Sequence, residues 1–332
     1  MMSHAMPVHP LPLDDLTAWI VGASQPRVGK RAVVVVDLDV DAGWDVPPIP
    51  SGLPPVVVGA TDADEPNDHP ARPACDVVLR HGSADLDAIV RTVERTPLAA
   101  RALVALLRGG AGRSLEDGLV AESQTYSDLQ GGPEFARWLR GHRRATRSEV
   151  GDPVRMERDD GVLRLTLARP HVRNALNAAM TVALLDGLAV AAADPEIRSV
   201  ELRGDGPSFC SGGDLDEFGT FESPEAAHGL RLERSVGRAL AEIAPKVRAH
   251  LHGACAGSGI ELPAFAGRVV AAPDTQINLP ELALGLIPGA GGTVSLPARI
   301  GRHRTAFLAL TGTPIDAATA LAWGLVDAVS GE

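Results

Sequence analysis

Lysine is almost missing from this chain. Lys30 and Lys246 stand alone among 31 basic residues, and the rest are arginines. With so much alanine, this reads as the usage of a GC-rich bacterial genome, not as a mechanism. Basic residues are also outnumbered by 42 acidic ones, for a formal net charge of −11. Nucleic acid and anionic membranes both reward a basic face, so the balance argues against either as a partner. Aromatic residues make up only 3% of the chain. Cys75, Cys210 and Cys255 are far apart and form no CxxC or Cys/His ligand spacing. That argues against a structural metal or a disulfide framework and leaves Cys210 and Cys255 as small apolar residues. No run of about 18 uninterrupted apolar residues exists, so no membrane span is expected. Met1 to Leu16 lacks a charged start followed by a long apolar run, the mark of a secretory signal. The expectation is a cytoplasmic protein.

What is present is enough for a sizeable core: 332 residues, 45% of them hydrophobic. That length allows two domains, or one domain with a large appendage. Arg31–Leu38, Pro55–Gly59 and Cys75–Leu79 are short, β-branched strand candidates separated by proline-rich turns. From Ser83 the period becomes helical, with Leu86, Ile89, Val90 and Val93 on one face. Pro97–Leu107 predicts a second helix, and Ser114-Leu-Glu-Asp caps a third that runs to about Leu129. Gly132-Pro133 opens a fourth, through Trp138, and the basic, polar stretch Gly141–Asp152 is a candidate linker. Beyond it, strands at 161–167, 199–203, 247–251 and 268–272 alternate with helices at 178–192, 224–243 and 257–266. This is α/β order.

Val21–Arg31 (VGASQPRVGKR) has the wrong spacing for a phosphate loop, and Arg31 stands where a hydroxyl is needed. The informative stretch is Ser208–Leu215 (SFCSGGDL), a glycine turn between a strand and a helix. Alone it would read as an ordinary turn. A second strand–glycine–helix stretch, His252–Leu262 (HGACAGSGIEL), follows some 40 residues later. A helix beginning near Ser258 would point unpaired N–H groups into the same cleft. Two such donors converging on one point suit an enolate oxygen. Asn278-Leu-Pro-Glu281 sets a carboxylate beside a proline-stiffened turn. Ile287–Thr293 (IPGAGGT) makes a further loop that lacks dinucleotide spacing.

With these motifs in order, residues 153–328 resemble the crotonase (enoyl-CoA hydratase/isomerase) superfamily. Arg169–Asn177 (RPHVRNALN) is similar to the family's opening signature, and FCSGGDL and HGACAGSGIEL to its two oxyanion loops. NLPELALGLIPGAGG is similar to its second catalytic segment, and Leu310-Thr-Gly through Gly324-Leu-Val-Asp327 to its close. The resemblance implies a crotonase-like ββα spiral core within an α/β fold. It implies an oxyanion hole from the backbone N–H groups of Gly213 and Ser258, and Glu261 and Glu281 as catalytic carboxylates. An acyl-CoA substrate would lie against Arg173, Ala175, Ser211, Asp214, Leu215, Gly257, Pro280 and Gly289. No metal and no separate cofactor are implied, since coenzyme A is part of the substrate.

Possession of both glutamates favours an enoyl-CoA hydratase. Isomerase, dehydratase, thioester hydrolase or a non-catalytic acyl-CoA binder are the alternatives. Ser258 stands where a glycine is usual, so its side chain is expected to narrow the pocket. Gly213 replaces a common alanine. Asp216 takes the place of a lysine that many relatives set near the coenzyme phosphates, and Arg173, Arg299 or Arg302 are candidates to supply that charge.

Relatives normally continue beyond the GLVD segment with about three helices that cover the active site and build a trimer, whereas this sequence ends at Glu332. Residues 85–143 resemble those helices in order, length and character, and residues 31–80 resemble shrunken core strands. The expected organisation is a degenerate α/β segment (1–82), a helical module (83–145) and a crotonase-like core (151–332). The module would dock on its own core or a neighbour's, in a homo-oligomer, trimer or dimer of trimers.

Overall fold

The computed structural model describes residues 10–12, 32–39, 48–50, 55–145 and 151–330. The candidate phosphate loop at Val21–Arg31 lies outside the described residues, as does the middle of the linker. The valine runs form a parallel sheet, β1 (Leu11–Pro12), β2 (Val33–Asp37), β3 (Val56–Thr61) and β4 (Val77–Arg80), in spatial order β1-β2-β3-β4. β2 and β3 are buried on both faces, which is why they read as continuous apolar runs with no alternation. One face joins the main core through Val33, Val35, Val56 and Val58. The other, with Val34, Val36, Val57 and Val78, packs on a satellite cluster that includes Ile49 and Cys75.

Four helices follow: α1 (Ala84–Arg95), α2 (Pro97–Arg108), α3 (Leu115–Gln130) and α4 (Pro133–Gly141). Their starts obey local chemistry. Ser83 Oγ accepts from the Asp85 N–H and Ser114 Oγ from the Asp117 N–H, while Pro97 and Pro133 sit where no N–H is needed. One cap is not local: the buried Glu134 carboxylate of α4 accepts from the N–H groups of Leu98 (2.8 Å) and Ala99 (3.0 Å) at the start of α2.

The C-terminal half builds a six-stranded sheet, order β13-β10-β8-β7-β6-β5, from β5 (Val154–Asp159), β6 (Val162–Leu167), β7 (Ser199–Gly204), β8 (Val247–Leu251), β10 (Arg268–Ala271) and β13 (Ala328–Val329). Only the β5–β6 pair is antiparallel. A small sheet of β9 (Ala254–Ala256), β11 (Gln276–Asn278) and β12 (Ile315–Asp316) stands apart. The helices are α5 (Ala178–Ala193), α6 (Pro224–Glu233), α7 (Val236–Glu242), α8 (Ser258–Glu261), α9 (Gly292–Thr311) and α10 (Ala317–Trp323).

Two expected helices are shorter than their sequence pattern. The helix over 224–243 breaks at Arg234, where Ser235 starts α7 by accepting from the Arg238 N–H at 3.2 Å. The helix over 257–266 stops after one turn, because Pro263 has no N–H to continue it.

The helical module packs on the core of its own chain. α1, α2 and α3 lie against α9, and α3 also packs on α6. A single apolar core runs from β2 through Ile89 and Leu103 to Leu310. Each fully buried side chain of that size contributes about 1.5–3 kcal/mol relative to exposure. Among the described residues no helix is long and apolar enough to cross a membrane.

Candidate active site

The loop after β7 and the strand β9 run side by side. Cys210 and Cys255 are bridge partners, and the Ala256 N–H donates to the Cys210 carbonyl at 3.0 Å. Gly212 (φ +101°) and Gly257 (φ +51°) hold conformations that side-chain-bearing residues rarely adopt. The N–H groups of Gly213 and Ser258 make no hydrogen bond to any described residue. α8 is a single turn, so these two N–H groups themselves, not a helix dipole, are the available donors. Ser258 is 5% exposed, lines the cavity, and has its hydroxyl 3.9 Å from the Cys210 thiol. A β-carbon on Gly213 would stand 2.9 Å from the Phe218 ring, which has taken up the room of the more usual alanine.

Both glutamates reach the same cavity of about 190 Å³, together with Gly213 and Ser258. Glu261 is 2% exposed, and its Oε2 accepts from the N–H groups of Ala290 (2.8 Å) and Gly292 (2.9 Å). Glu281 follows Pro280 at the start of a 3-10 turn, and its Oε2 is buried without a hydrogen-bond partner. The glycines of the motifs make these seats. A β-carbon on Gly292 would stand 2.6 Å from Glu261 Oε2, and one on Gly257 2.4 Å from Glu281 Oε1. Burial, then the neighbouring Glu281 and Glu122 charges, hold the Glu261 carboxyl well above the usual carboxylate range. Burial pushes Glu281 up to about 8. Carboxylates this close and this dry do not all ionise together. Burial raises both groups, but Glu261 has two amide donors that favour its charged form and Glu281 Oε2 has none, so the geometry assigns the base to Glu261 and the proton to Glu281. The Cys210 thiol is pushed up by burial and is no nucleophile.

The other expected residues divide. Asp214, Gly289, Gly213 and Ser258 line the cavity with the glutamates. Asp214 is nevertheless committed to a buried ion pair with Arg169 at 3.0 Å, and Arg169 also holds the Ala175 carbonyl. Ser211 and Arg173 shape the loop through the Ser211 N–H and the Arg173 carbonyl (3.0 Å). Arg173 takes φ +54° and is exposed, as is Leu215. Gly257 and Pro280 seat Glu281. Arg299 is held by the carbonyls of Ala264 and Ala266 and by Asp327, and Arg302 by those of Pro73 and Cys75. Both are anchors within the fold and not free cations for a coenzyme. Asp216 accepts from the Ala145 N–H and so ties down the end of the helical module.

Among the cavity-lining residues that went unread in the sequence are four from helices outside the motifs. Glu122, Tyr126 and Gln130 come from α3, and Arg231 from α6. The guanidinium of Arg231 lies 4.7 Å from the Tyr126 ring centroid and donates to Ser123, Ser127 and Gln130. The spacing of Glu122, Tyr126 and Gln130 at every fourth position was the available signal. It marks one helix face, but not what that face meets.

Among the described residues one group could gather a metal ion: Asp37, Asp39 and His81 on the N-terminal sheet. None lines the cavity, and Asp39 already accepts from Thr61 and from the Asp62 N–H.

Two N–H groups without a described partner and two carboxylates lining one cavity make an arrangement that can carry an enolate while moving protons beside it. The sequence profile of the enoyl-CoA hydratase/isomerase family matches residues 157–332. The chain belongs to this family. Its core is a crotonase fold, 33% identical to an enoyl-CoA hydratase from Thermoplasma volcanium GSS1, with a TM-score of 0.51 over 55% of this chain and 73% of that one. An enoyl-CoA isomerase/hydratase of Mycosarcoma maydis is 35% identical over 179 residues, 51% of this chain and 65% of the relative. A 2,3-dehydroadipyl-CoA hydratase of Escherichia coli is 35% identical over 174 residues, 52% and 68% respectively. The chain thus spans about two thirds of the length of these curated relatives. The crotonase family covers hydratases and isomerases alike, so the reaction has to be argued from the site.

Proposed function

We propose that this chain adds water to a 2-enoyl-CoA thioester. The observation that carries the reading is the unlike state of two carboxylates in one cavity: Glu261 fixed by two amides, Glu281 with an orphaned oxygen. In this mechanism the Gly213 and Ser258 N–H groups bind the thioester oxygen. Glu261 takes a proton from water as the oxygen attacks the β-carbon. The electron pair of the double bond passes to the thioester oxygen as an enolate. Glu281 then gives its proton to the α-carbon and the thioester carbonyl re-forms. Return of the proton from Glu261 to Glu281 restores the site. An adjoining cavity of about 210 Å³ shares Leu176, Phe221 and Arg231 with the first, and the acyl chain would run into it.

We read the helical module as the counterpart of the family's closing helices, placed ahead of the core in the sequence. Tyr126 and Gln130 in the cavity wall support that reading. The test is direct: crotonyl-CoA and longer enoyl-CoAs, followed by loss of the conjugated thioester absorbance. Turnover to 3-hydroxyacyl-CoA is expected. Acyl-CoA binding without loss of absorbance would overturn the reading.

A further inference from the structure

The loop that holds Glu261 is held from its other side. Ala290, Gly291, Gly292 and Thr293 present four successive N–H groups, and two carboxylates divide them in alternation. Glu261 accepts from Ala290 (2.8 Å) and Gly292 (2.9 Å), while Glu122 accepts from Gly291 (2.6 Å) and Thr293 (2.7 Å). The Thr293 hydroxyl adds a further bond to Glu122 at 2.7 Å. Glu122 is 2% exposed and comes from α3, so the helical module reaches into the catalytic loop.

We propose that Glu122 is a positioning residue for Glu261: by fixing the alternate amides of the 290–293 loop, it sets the two amides that orient the Glu261 carboxylate. The inference rests on the hydratase reading given above. Glu134 shows that a buried carboxylate can serve as a plain structural cap in this fold; Glu122 differs because the amides it takes alternate with those that hold Glu261. A charge next to Glu261 also has a use. It makes Glu261 a stronger base towards water by disfavouring a second charge beside it.

Burial pushes Glu122 itself up to about 7, opposed by its bonds to Thr293 and Gly291 and by the Arg231 charge. The titratable and charged groups facing this pair are Glu281, Tyr126 of α3, Arg231 of α6 and the Cys210 thiol.

In Glu122→Gln, the side-chain amide nitrogen must meet an N–H or the Thr293 hydroxyl, so one donor of the loop loses its acceptor and the loop shifts. With the best enoyl-CoA, kcat is expected to fall roughly 100-fold, the scale of a misplaced catalytic group. KM should change far less than kcat, because glutamine keeps the size of Glu122 in the wall of the adjoining cavity. Thr293→Val removes one bond without disturbing the backbone donors and should move kcat in the same direction by less. It carries the test should Glu122→Gln fail to fold.

A second readout does not depend on turnover. The infrared carboxyl band that disappears in Glu261→Gln is followed against pH in wild type and in the Glu122 and Thr293 variants. Loss of the Glu122 charge should shift that titration to lower pH. An unmoved Glu261 titration, with kcat per folded molecule unchanged, would overturn the proposal. If wild type hydrates no enoyl-CoA, the functional reading fails, and the infrared titration still decides the role of Glu122.

Discussion

The ring of Tyr126 rests on the α-carbon of Gly289: a β-carbon there would stand 2.4 Å from its Cδ2 and 2.5 Å from its Cε2. Tyr126 belongs to the helical module and Gly289 to the catalytic core, so this contact sets how closely the two approach. Gly289 has no left-handed backbone, and alanine would clash only with the ring. Gly289→Ala should destabilise by about 1–3 kcal/mol, the usual range for overpacking. In Tyr126→Leu the same substitution should cost much less. Urea midpoints of the four proteins in this cycle measure the coupling, and additive effects would show that the ring does not set the approach.

Glu122 and Glu281 make stability fall with rising pH. Their carboxyls lie at about 7 and about 8 when folded, both raised from 4.5. Between the unfolded and folded values the native chain binds protons that the unfolded chain has released. Their stabilising share is complete below about 4.5 and is lost as pH climbs through about 8. Urea midpoints should therefore decline between pH 6 and pH 9. Glu281→Gln, which has no proton to lose, should flatten that decline. A slope unchanged by this variant would place the titration elsewhere.

Arg231 is the charged fastening between α6 and α3, beside the Ser123–His228 pair (2.9 Å) and the bond from the Ser127 hydroxyl to the Pro224 carbonyl (3.0 Å). Its guanidinium serves the Ser123 carbonyl and hydroxyl, the Ser127 hydroxyl and Gln130 Oε1 while lying over Tyr126. Arg231→Ala removes these charge-assisted bonds, at a cost of about 2–3 kcal/mol. Amide hydrogen exchange should quicken in 115–130 and leave β6 to β8 protected. Uniform loss of protection would mean that module and core unfold as one unit.

The elements written in local sequence were legible. The change of period at Ser83, the capping serine at 114, prolines at 97 and 133, and the valine runs at 33–36 and 56–58 all mark elements of the structure. So did the motif glycines, because each is required by something close by: the Glu281 carboxylate over Gly257, the Glu261 carboxylate against Gly292. What could not be read were relations between distant segments. The break at Arg234 carries no proline or glycine, and the short β9–β11 pair has too few residues for a period. Arg299 and Arg302 looked like free surface cations, since nothing local shows that carbonyls of other segments occupy them. Glu122 read as an ordinary residue of a capped helix, and only the docked helix reveals the amides it meets.

The central claim is that Glu261 and Glu281 act together on water, one as base and one as acid. Single-turnover hydration of the best enoyl-CoA in wild type, Glu261→Gln and Glu281→Gln tests it most directly. Loss of either group should slow the chemical step by roughly 10²–10⁴-fold, with acyl-CoA binding retained in both variants. A Glu261→Gln enzyme that still moves the double bond at near wild-type rate, with only Glu281 essential, would contradict the account and make the chain an isomerase.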